Sequence, residues 1–279
     1  MNKQPLISIL MPIFNASAFL HEALESVMRQ TYTNFELLVV DDGSTDDSVA
    51  IVKCFKDERI RVISNLHDFI VSLNIGINES TGKYIARMDA DDIMLPHRLQ
   101  TQFDFMEAHP DIDICGSYAA SFGDMNGIMQ RPTDHAEIIS TMLLMNPLLH
   151  STVMIRRSVF LQSGCRYHSG YPCAEDYKLW TDLSLKGFKF ANIPEPLIRY
   201  RISPQQVTRT SADEMRNSSV RIGLEYAQGV MEQMIEKEER YSEFLDALIE
   251  LYNNGLTGHD SLRQILYSVY RDFLYGQST

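Results

Sequence analysis

The N-terminal part of the chain alternates two kinds of segment, and this alternation constrains the fold more than any other feature. Short apolar runs of buried-strand length, LISILMPIF (6–14), FELLVV (35–40), RVIS (61–64) and GKYIARM (82–88), are separated by stretches with helical spacing. In 17–30, Phe19, Ala23 and Val27 recur at helical intervals with Leu20 and Leu24 beside them. The stretch 44–55 opens with the helix-capping residues Ser-Thr-Asp, and 69–80 also reads as helix. Strands joined through helices need right-handed crossovers, which predicts an α/β fold: a mainly parallel central sheet flanked by helices. In such sheets ligands bind beyond the carboxyl ends of the strands.

Two acidic clusters fall at that place. VVDDGSTD sets Asp41 and Asp42 at the end of the second strand, and ARMDADD sets Asp89, Asp91 and Asp92 after a later one. A carboxylate at a strand end risks partial burial, so charge there needs a reason. Carboxylates at alternate positions can offer oxygens to one point, and hard cations such as Mg²⁺ and Mn²⁺ take oxygen ligands. The competing reading of DADD is a solvated turn capping the next helix, with Asp92 as cap and Pro96 in the first turn. For Asp41-Asp42-Gly43 the alternatives are turn chemistry or contact with a base or ribose.

The middle of the chain is less regular. DIDICGSYAASFG and GIMQRP read as a hairpin around Gly123–Gly127, STVMIRRSVF as a strand running into a helix, and FKFANIPEPLIRYRI as two short strands about a Pro-Glu-Pro turn. EDYKLWTDLSLKG (175–187) is a helix stopped by Gly187. Its opening pair, Glu175 and Asp176, serves either the helix dipole or general-base chemistry. His150 precedes an apolar strand, and Arg199 and Arg201 flank Tyr200, offering either a basic face for phosphate or surface stems. Beyond about 205 the pattern is long and helical. In 260–275, Leu262, Ile265, Leu266, Val269, Tyr270, Phe273 and Leu274 form one apolar stripe.

Composition removes several classes. With 279 residues and a net charge of −12, general binding to nucleic acid is disfavoured, because phosphates would be repelled. The charge suits an enzyme that captures a metal and then an anion through it. Cys54, Cys115, Cys165 and Cys173 show no C-x-x-C spacing, so a reducing cytosol is the expected compartment. No apolar run approaches the ~18 residues of a membrane span, and MNKQPLISILMPIF reads as a first strand rather than a signal peptide.

Taken in order, SILMPIFN, QTYTNFELLVVDDGSTD, SLNIGINESTGKYIARMDADDIMLPHRL and AEDYKLW resemble glycosyltransferase family 2, the inverting nucleotide-sugar transferases of the GT-A fold. The resemblance covers residues 6 to about 202. It implies a catalytic domain over 1–204, with 1–110 as the nucleotide-sugar half and 111–204 as the acceptor half, followed by a helical extension over 205–279. Pro12, Phe14, Asn15 and Asp42, with Asp41 beside it, match the base and ribose contacts. Phe14 stands where the family has an aromatic residue, often tyrosine. Asp89-Ala90-Asp91 matches the D-x-D motif, which implies Asp91 as ligand to Mn²⁺ or Mg²⁺, Asp89 toward the ribose and Asp92 in support. Glu175-Asp176 matches the ED motif, with Asp176 as base and Glu175 as the alternative. The two point about 100° apart on a helix, so one of them faces the acceptor. Trp180, one turn on, belongs to the acceptor pocket or to the core.

The resemblance further implies transfer from a nucleoside diphosphate donor, most often UDP-linked, to a saccharide or lipid-linked acceptor in surface polysaccharide or lipopolysaccharide synthesis. It implies a cytoplasmic enzyme with room for peripheral association at the inner membrane face, and for a homodimer through the C-terminal helices. The sequence departs from the family after RYR, where relatives carry a histidine and this chain has Ser203. Arg201 alone, or His150 from another strand, is then left to meet the diphosphate. The rival readings are a nucleotidyltransferase on a related α/β fold, an inactive sugar-nucleotide-binding relative, and a receiver-like domain. The first lacks its basic Gly-rich loop, since PIFNASAFL follows the first strand, and the receiver fold leaves AEDYKLW unexplained. An oxidoreductase lacks its G-x-G-x-x-G.

Overall fold

The computed structural model describes residues 5–204, 206, 210–238 and 241–276. The first half is built from β1 (Ile7–Ile13), α1 (Leu20–Met28), β2 (Phe35–Asp41), α2 (Ser48–Cys54), β3 (Ile60–Ser64), α3 (Phe69–Glu79) and β4 (Tyr84–Arg87). Then come β5 (Ile93–Met94), α4 (Arg98–Ala108), β6 (Ile114–Gly123), β7 (Gly127–Met129), α5 (His135–Thr141), β8 (Met154–Arg156), α6 (Arg157–Ser163), α7 (Glu175–Leu185) and β9 (Phe190–Ile202). Three C-terminal helices follow: α8 (Ala212–Lys237), α9 (Ser242–Asn253) and α10 (His259–Gly276).

One sheet runs in the order β3-β2-β1-β4-β8-β6-β9-β5, with β7 paired to β6. The first four strands are parallel, as is the long β6–β9 pair, while β8, β5 and β7 pair antiparallel. Every residue of β1 is buried, as expected for a central strand covered on both faces. Alternation sends Ile7, Ile9, Met11 and Ile13 into a core shared with α1, while Leu10 enters a second core with Leu73 and Ile77 of α3. At the strand beginnings, the Glu36 carboxylate accepts from the Ser8 hydroxyl at 2.6 Å and from Thr81 N at 2.9 Å. A Cβ at Gly82 would lie 2.6 Å from Ser8 N and 2.7 Å from Leu6 O, so the turn entering β4 needs glycine.

Two expected elements differ. The stretch 190–202 is one strand rather than two: Pro194 to Pro196 pass through as a register shift against β6, because the long ladder continues on both sides. Helix α2 starts at Ser48 rather than 44. Residues 44–47 instead form a loop in which Asp46 accepts from Ser17 N at 3.0 Å and Ser48 N at 2.9 Å, holding the β1 and β2 exits together.

The C-terminal helices are part of the same core as α5 and α7. Leu262, Leu266, Tyr270 and Phe273 of α10 are at most 4% exposed, packed in one cluster with Ile138, Trp180 and Tyr226. Most of the apolar stripe is therefore packed inside the molecule, with Ile265 left exposed. Tyr226 on α8 hydrogen-bonds the Ser184 hydroxyl at 2.8 Å and Ile139 O at 3.1 Å. Arg263, 5% exposed, donates to the carbonyls of Leu143 and Leu144. Its guanidinium lies over Gly223, where any Cβ would come within 2.7 Å. The expected domain boundary falls beside 205 and 207–209, which lie outside the described residues. Among the described residues no helix is long and apolar enough to cross a membrane.

Removing Arg263 strips buried carbonyls of a charged donor, a loss of about 3 kcal/mol. Arg263→Ala is expected to lower stability by that order in chemical denaturation, whereas an unchanged midpoint would show that α10 does not dock through this side chain.

Candidate active site

The carboxyl ends of β1, β2 and β4 form one rim. At β1, Pro12 is buried in the strand, where its missing N–H is no loss at the rim, and Phe14 is 45% exposed with its ring 4.2 Å from the His67 ring. Asn15 adopts φ +47°; its N–H donates to Ser44 Oγ at 3.1 Å, and its Oδ1 accepts from Thr45 N at 2.9 Å. It thus ties the β1 loop to the β2 loop.

The two aspartates after β2 separate in role. Asp42 Oδ1 accepts from Asp68 N and Ser72 Oγ, each at 2.7 Å, and from Asn65 Nδ2 at 3.3 Å. Its Oδ2 is 3.5 Å from His67 Nδ1. Asp42, one of the residues matched to the base and ribose contacts, thereby holds the start of α3. Asp41 accepts only from Ser44 N, at 3.1 Å through Oδ1, among the described residues. It is the carboxylate on this rim with capacity to spare.

The DADD loop is anchored at both ends, by β4 before it and by β5, which pairs with β9, after it. Its three carboxylates bring oxygens within 4.8 Å of one another. Asp92 is buried rather than a solvated helix cap: Oδ1 accepts from Arg201 N at 2.8 Å, and Oδ2 has no hydrogen-bond partner among the described residues. The nearby Ser151 hydroxyl favours the Asp92 charge but falls short of hydrogen-bond geometry. Burial first, then Asp89, lifts the Asp91 carboxyl to about 6, and the same causes raise Asp92 well above the usual range. An all-oxygen donor set with one orphaned buried oxygen and strong mutual repulsion fits a hard dication.

Arg201 is committed within the protein. Its Nε donates to Asp91 O at 2.8 Å and its Nη2 to Glu22 at 2.7 Å, and the guanidinium stacks 4.2 Å from Phe19 and 4.5 Å from Phe122. It shapes the acidic loop and in this conformation is not a free phosphate ligand. Ser203, where relatives carry a histidine, donates its N–H to Gln206 Oε1 at 3.2 Å and accepts from Gln206 N through its carbonyl at 3.4 Å.

Across the rim, Glu175 and Asp176 open α7, and both are half-buried. Asn146 Nδ2 donates to Asp176 Oδ2 at 2.8 Å, and Tyr177 N donates to Oδ1 at 2.7 Å. Glu175 has no side-chain donor among the described residues. Burial and the neighbouring Asp176 push it up to about 7. Burial also raises Asp176, but its two donors oppose the rise. His150 is hydrogen-bonded through Nε2 to Tyr167 OH at 2.8 Å. Burial, then Arg87, holds it well below the usual histidine value, which favours the neutral imidazole. Trp180 is entirely buried, 6.2 Å from the His150 ring, and forms floor rather than lining.

Sequence reasoning missed Arg87, Arg98, Asn146 and Tyr167. Arg87 ends β4, is buried, ion-pairs with Asp89, and acts electrostatically on Asp91, Glu175 and Asp176. The fully buried Arg98 donates to Arg87 O at 2.8 Å and Val153 O at 3.4 Å. Arginine inside an apolar strand run, two residues before an acidic motif, was the available signal for Arg87.

With this geometry established, likeness to known proteins decides the family. The family model described as Glycosyl transferase family 2 matches residues 8–163. The chain belongs to that family. It is 34% identical over 237 residues to an uncharacterized glycosyltransferase of Haemophilus influenzae, covering 80% of this chain and 73% of that one. It is 32% identical to the putative glycosyltransferase EpsE of Bacillus subtilis, covering 76% and 78%. To the amylovoran biosynthesis glycosyltransferase AmsE of Erwinia amylovora it is 30% identical, covering 73% and 79%. Among solved structures, TarS 1-349 of S. aureus in complex with UDP-GlcNAc superposes with a TM-score of 0.66 at 18% identity. That match covers 81% of this chain and 66% of the other, just under two thirds of its length. The mannosyltransferase PcManGT of Pyrobaculum calidifontis, in complex with GDP-Man and Mn2+, gives 0.58 at 12% identity, covering 97% and 88%. These likenesses show the GT-A fold.

In the metal-free protein, Asp91 at about 6 and Glu175 at about 7 hold protons that the unfolded chain releases near 4 to 4.5. Their contribution to stability is therefore present at low pH and declines as pH rises through that window. In EDTA, Asp91→Asn is expected to flatten the fall in Tm between pH 5 and 7.5 relative to the unaltered protein. Parallel curves would contradict the repulsion.

Proposed function

We propose that the chain is an inverting, metal-assisted hexosyltransferase. It moves a sugar from a nucleoside diphosphate donor, UDP-linked in the first instance, to a hydroxyl of a saccharide or lipid-linked acceptor. The carrying observation is that a three-carboxylate loop of metal-type geometry lies at the carboxyl end of β4 on a GT-A frame, near enough to the Glu175–Asp176 pair for Asp89 to act electrostatically on Glu175. A relative named for amylovoran biosynthesis supports surface polysaccharide or lipopolysaccharide as the product. The proposed location is the cytoplasm, at or near the inner face of the membrane.

In this reading the exposed Phe14 ring, with His67 against it, is a platform for the base, and the spare oxygen of Asp41 accepts from the base edge. Asn15 holds the platform in place. Asp89 meets the ribose once its ion pair with Arg87 is shared. Asp91 is the ligand to Mn²⁺ or Mg²⁺, with Asp92 beside it; when bound, the cation neutralises the leaving diphosphate. Asp176 is the base. Its donors, Asn146 Nδ2 and Tyr177 N, keep the negative charge of the pair on Asp176, while Glu175 holds the shared proton. A second lone pair on Oδ2 remains to accept the acceptor hydroxyl proton, so attack proceeds in one step with inversion.

Asp176→Asn is expected to lower turnover by about 10²–10⁴-fold with donor affinity unchanged, and Glu175→Gln to do much less. The reverse pattern in steady-state kinetics would move the base to Glu175. Thermal shift across a panel of nucleotide sugars is expected to show UDP stabilisation that needs Mn²⁺ or Mg²⁺, is larger at pH 7.5 than at pH 5, and is lost in Asp91→Ala. Equal UDP stabilisation without metal in both proteins would remove Asp91 as ligand.

A further inference from the structure

We infer that Arg263, in the C-terminal extension, is a positioning residue for the candidate base: it fixes the turn that carries Asn146, and Asn146 aims the Asp176 carboxylate. The role of Asp176 is taken from the reading above, which this deepens. The last carbonyls of a helix have no partner inside it and need donors from elsewhere. At the end of α5 and in the turn beyond it, side chains from four other elements supply them. Tyr226 of α8 donates to Ile139 O at 3.1 Å, and the Tyr177 hydroxyl of α7 donates to Met142 O. Arg263 of α10 gives Nε to Leu143 O and Nη2 to Leu144 O, and Asn192 of β9 gives Nδ2 to Pro147 O at 3.2 Å.

Asn146 stands between the last two of these anchors, and its amide is oriented on both sides. Leu148 N donates to Oδ1 at 3.2 Å, which leaves Nδ2 to donate to Asp176 Oδ2 at 2.8 Å. Tyr177 closes the circuit, since its N–H donates to Asp176 Oδ1 at 2.7 Å while its hydroxyl holds Met142 O. Both oxygens of the carboxylate are therefore tied to the turn or to the residue that grips it. Arg263 is the charged donor among these anchors, and charge-assisted bonds are the stronger kind. It is 5% exposed, and α8 is shaped for it, because a Cβ at Gly223 would lie 2.7 Å from the guanidinium. Met145, between the carbonyls bound by Arg263 and Asn146, is 58% exposed, which leaves the polar anchors to set where Asn146 stands. A base acts only within hydrogen-bond reach of the hydroxyl it deprotonates, so a displaced Asn146 costs turnover rather than donor binding.

The test has a substrate-free arm and a turnover arm. In NMR of the full chain, the Asn146 side-chain amide resonance is expected to move in Arg263→Met, still folded by circular dichroism, toward its position in Asp176→Ala. A resonance that stays where it is in the unaltered protein overturns the inference. Should Arg263→Met fail to fold, Arg263→Gln, which keeps a donor for one of the two carbonyls, carries the same comparison with the same two outcomes. For turnover, UDP release from UDP-GlcNAc with Mn²⁺ and water as acceptor is followed. Asn146→Ala and Arg263→Met are each expected to lower kcat about 10-fold or more with the KM for UDP-GlcNAc unchanged. The double variant is expected to be no slower than Asn146→Ala alone. Unchanged kcat in either single variant, or losses that multiply in the double, overturns the inference. An active Asp176→Asn would sink the base reading, whereas an inactive one beside a fully active Asn146→Ala would sink this inference alone. The amide arm decides even where UDP-GlcNAc is not turned over.

Discussion

Five carboxylates, Asp89, Asp91, Asp92, Glu175 and Asp176, lie close enough that Asp89 raises the carboxyls of Asp91, Asp92 and Glu175, and Asp176 raises that of Glu175. Each prefers water or a counter-charge, and burial denies most of them the first. Among the described residues the protein answers with Arg87 and Arg201 beside the acidic loop and Arg98 beneath Arg87. Arg87 gives the charge, and Arg98 holds the carbonyl of Arg87 in place. Much of the surrounding architecture follows from keeping this arrangement intact.

The acidic loop is a case in point. It joins β4 to β5, so parallel and antiparallel pairing hold its two ends. From β9, Arg201 closes the third side, taking the Asp91 carbonyl and the Asp92 carboxylate while stacked between Phe19 and Phe122. A cation spent in this way shapes a metal-type site and offsets only part of its charge. That leaves the loop oxygens under-satisfied, which suits a site that takes its positive charge from outside.

The acceptor side is supported differently. Asp176 is steadied by Asn146, which follows α5, and α7 packs through Leu179, Trp180 and Leu183 into the core that also contains Tyr226, Leu266 and Phe273. The C-terminal helices thereby brace the helix that presents the ED pair. Arg263 extends the brace to the carbonyls of Leu143 and Leu144, just before Asn146. An extension without a recognisable motif in sequence is thus packed continuously with the helix that carries Glu175 and Asp176.

The strand–helix alternation, the acidic strand ends and the helix beginning at Glu175 were all legible in the sequence, because each depends on local periodicity or on neighbours a few residues away. So was the amphipathic stripe of α10, although its partner was not. What only the tertiary structure decided depends on long-range pairing. Asp41 and Asp42 look equivalent in sequence, and donors from 65–72 converge on Asp42 alone. Arg201 and His150 looked available for phosphate, and Glu22, Asp91 and Tyr167 engage them. Arg87 reads as one charge in an apolar strand, and its meaning came from two acidic groups brought together from positions about ninety residues apart in sequence. Local pattern determines where charge lies along the chain; which charges meet, and which remain free to act, is set by packing between segments that no local pattern encodes.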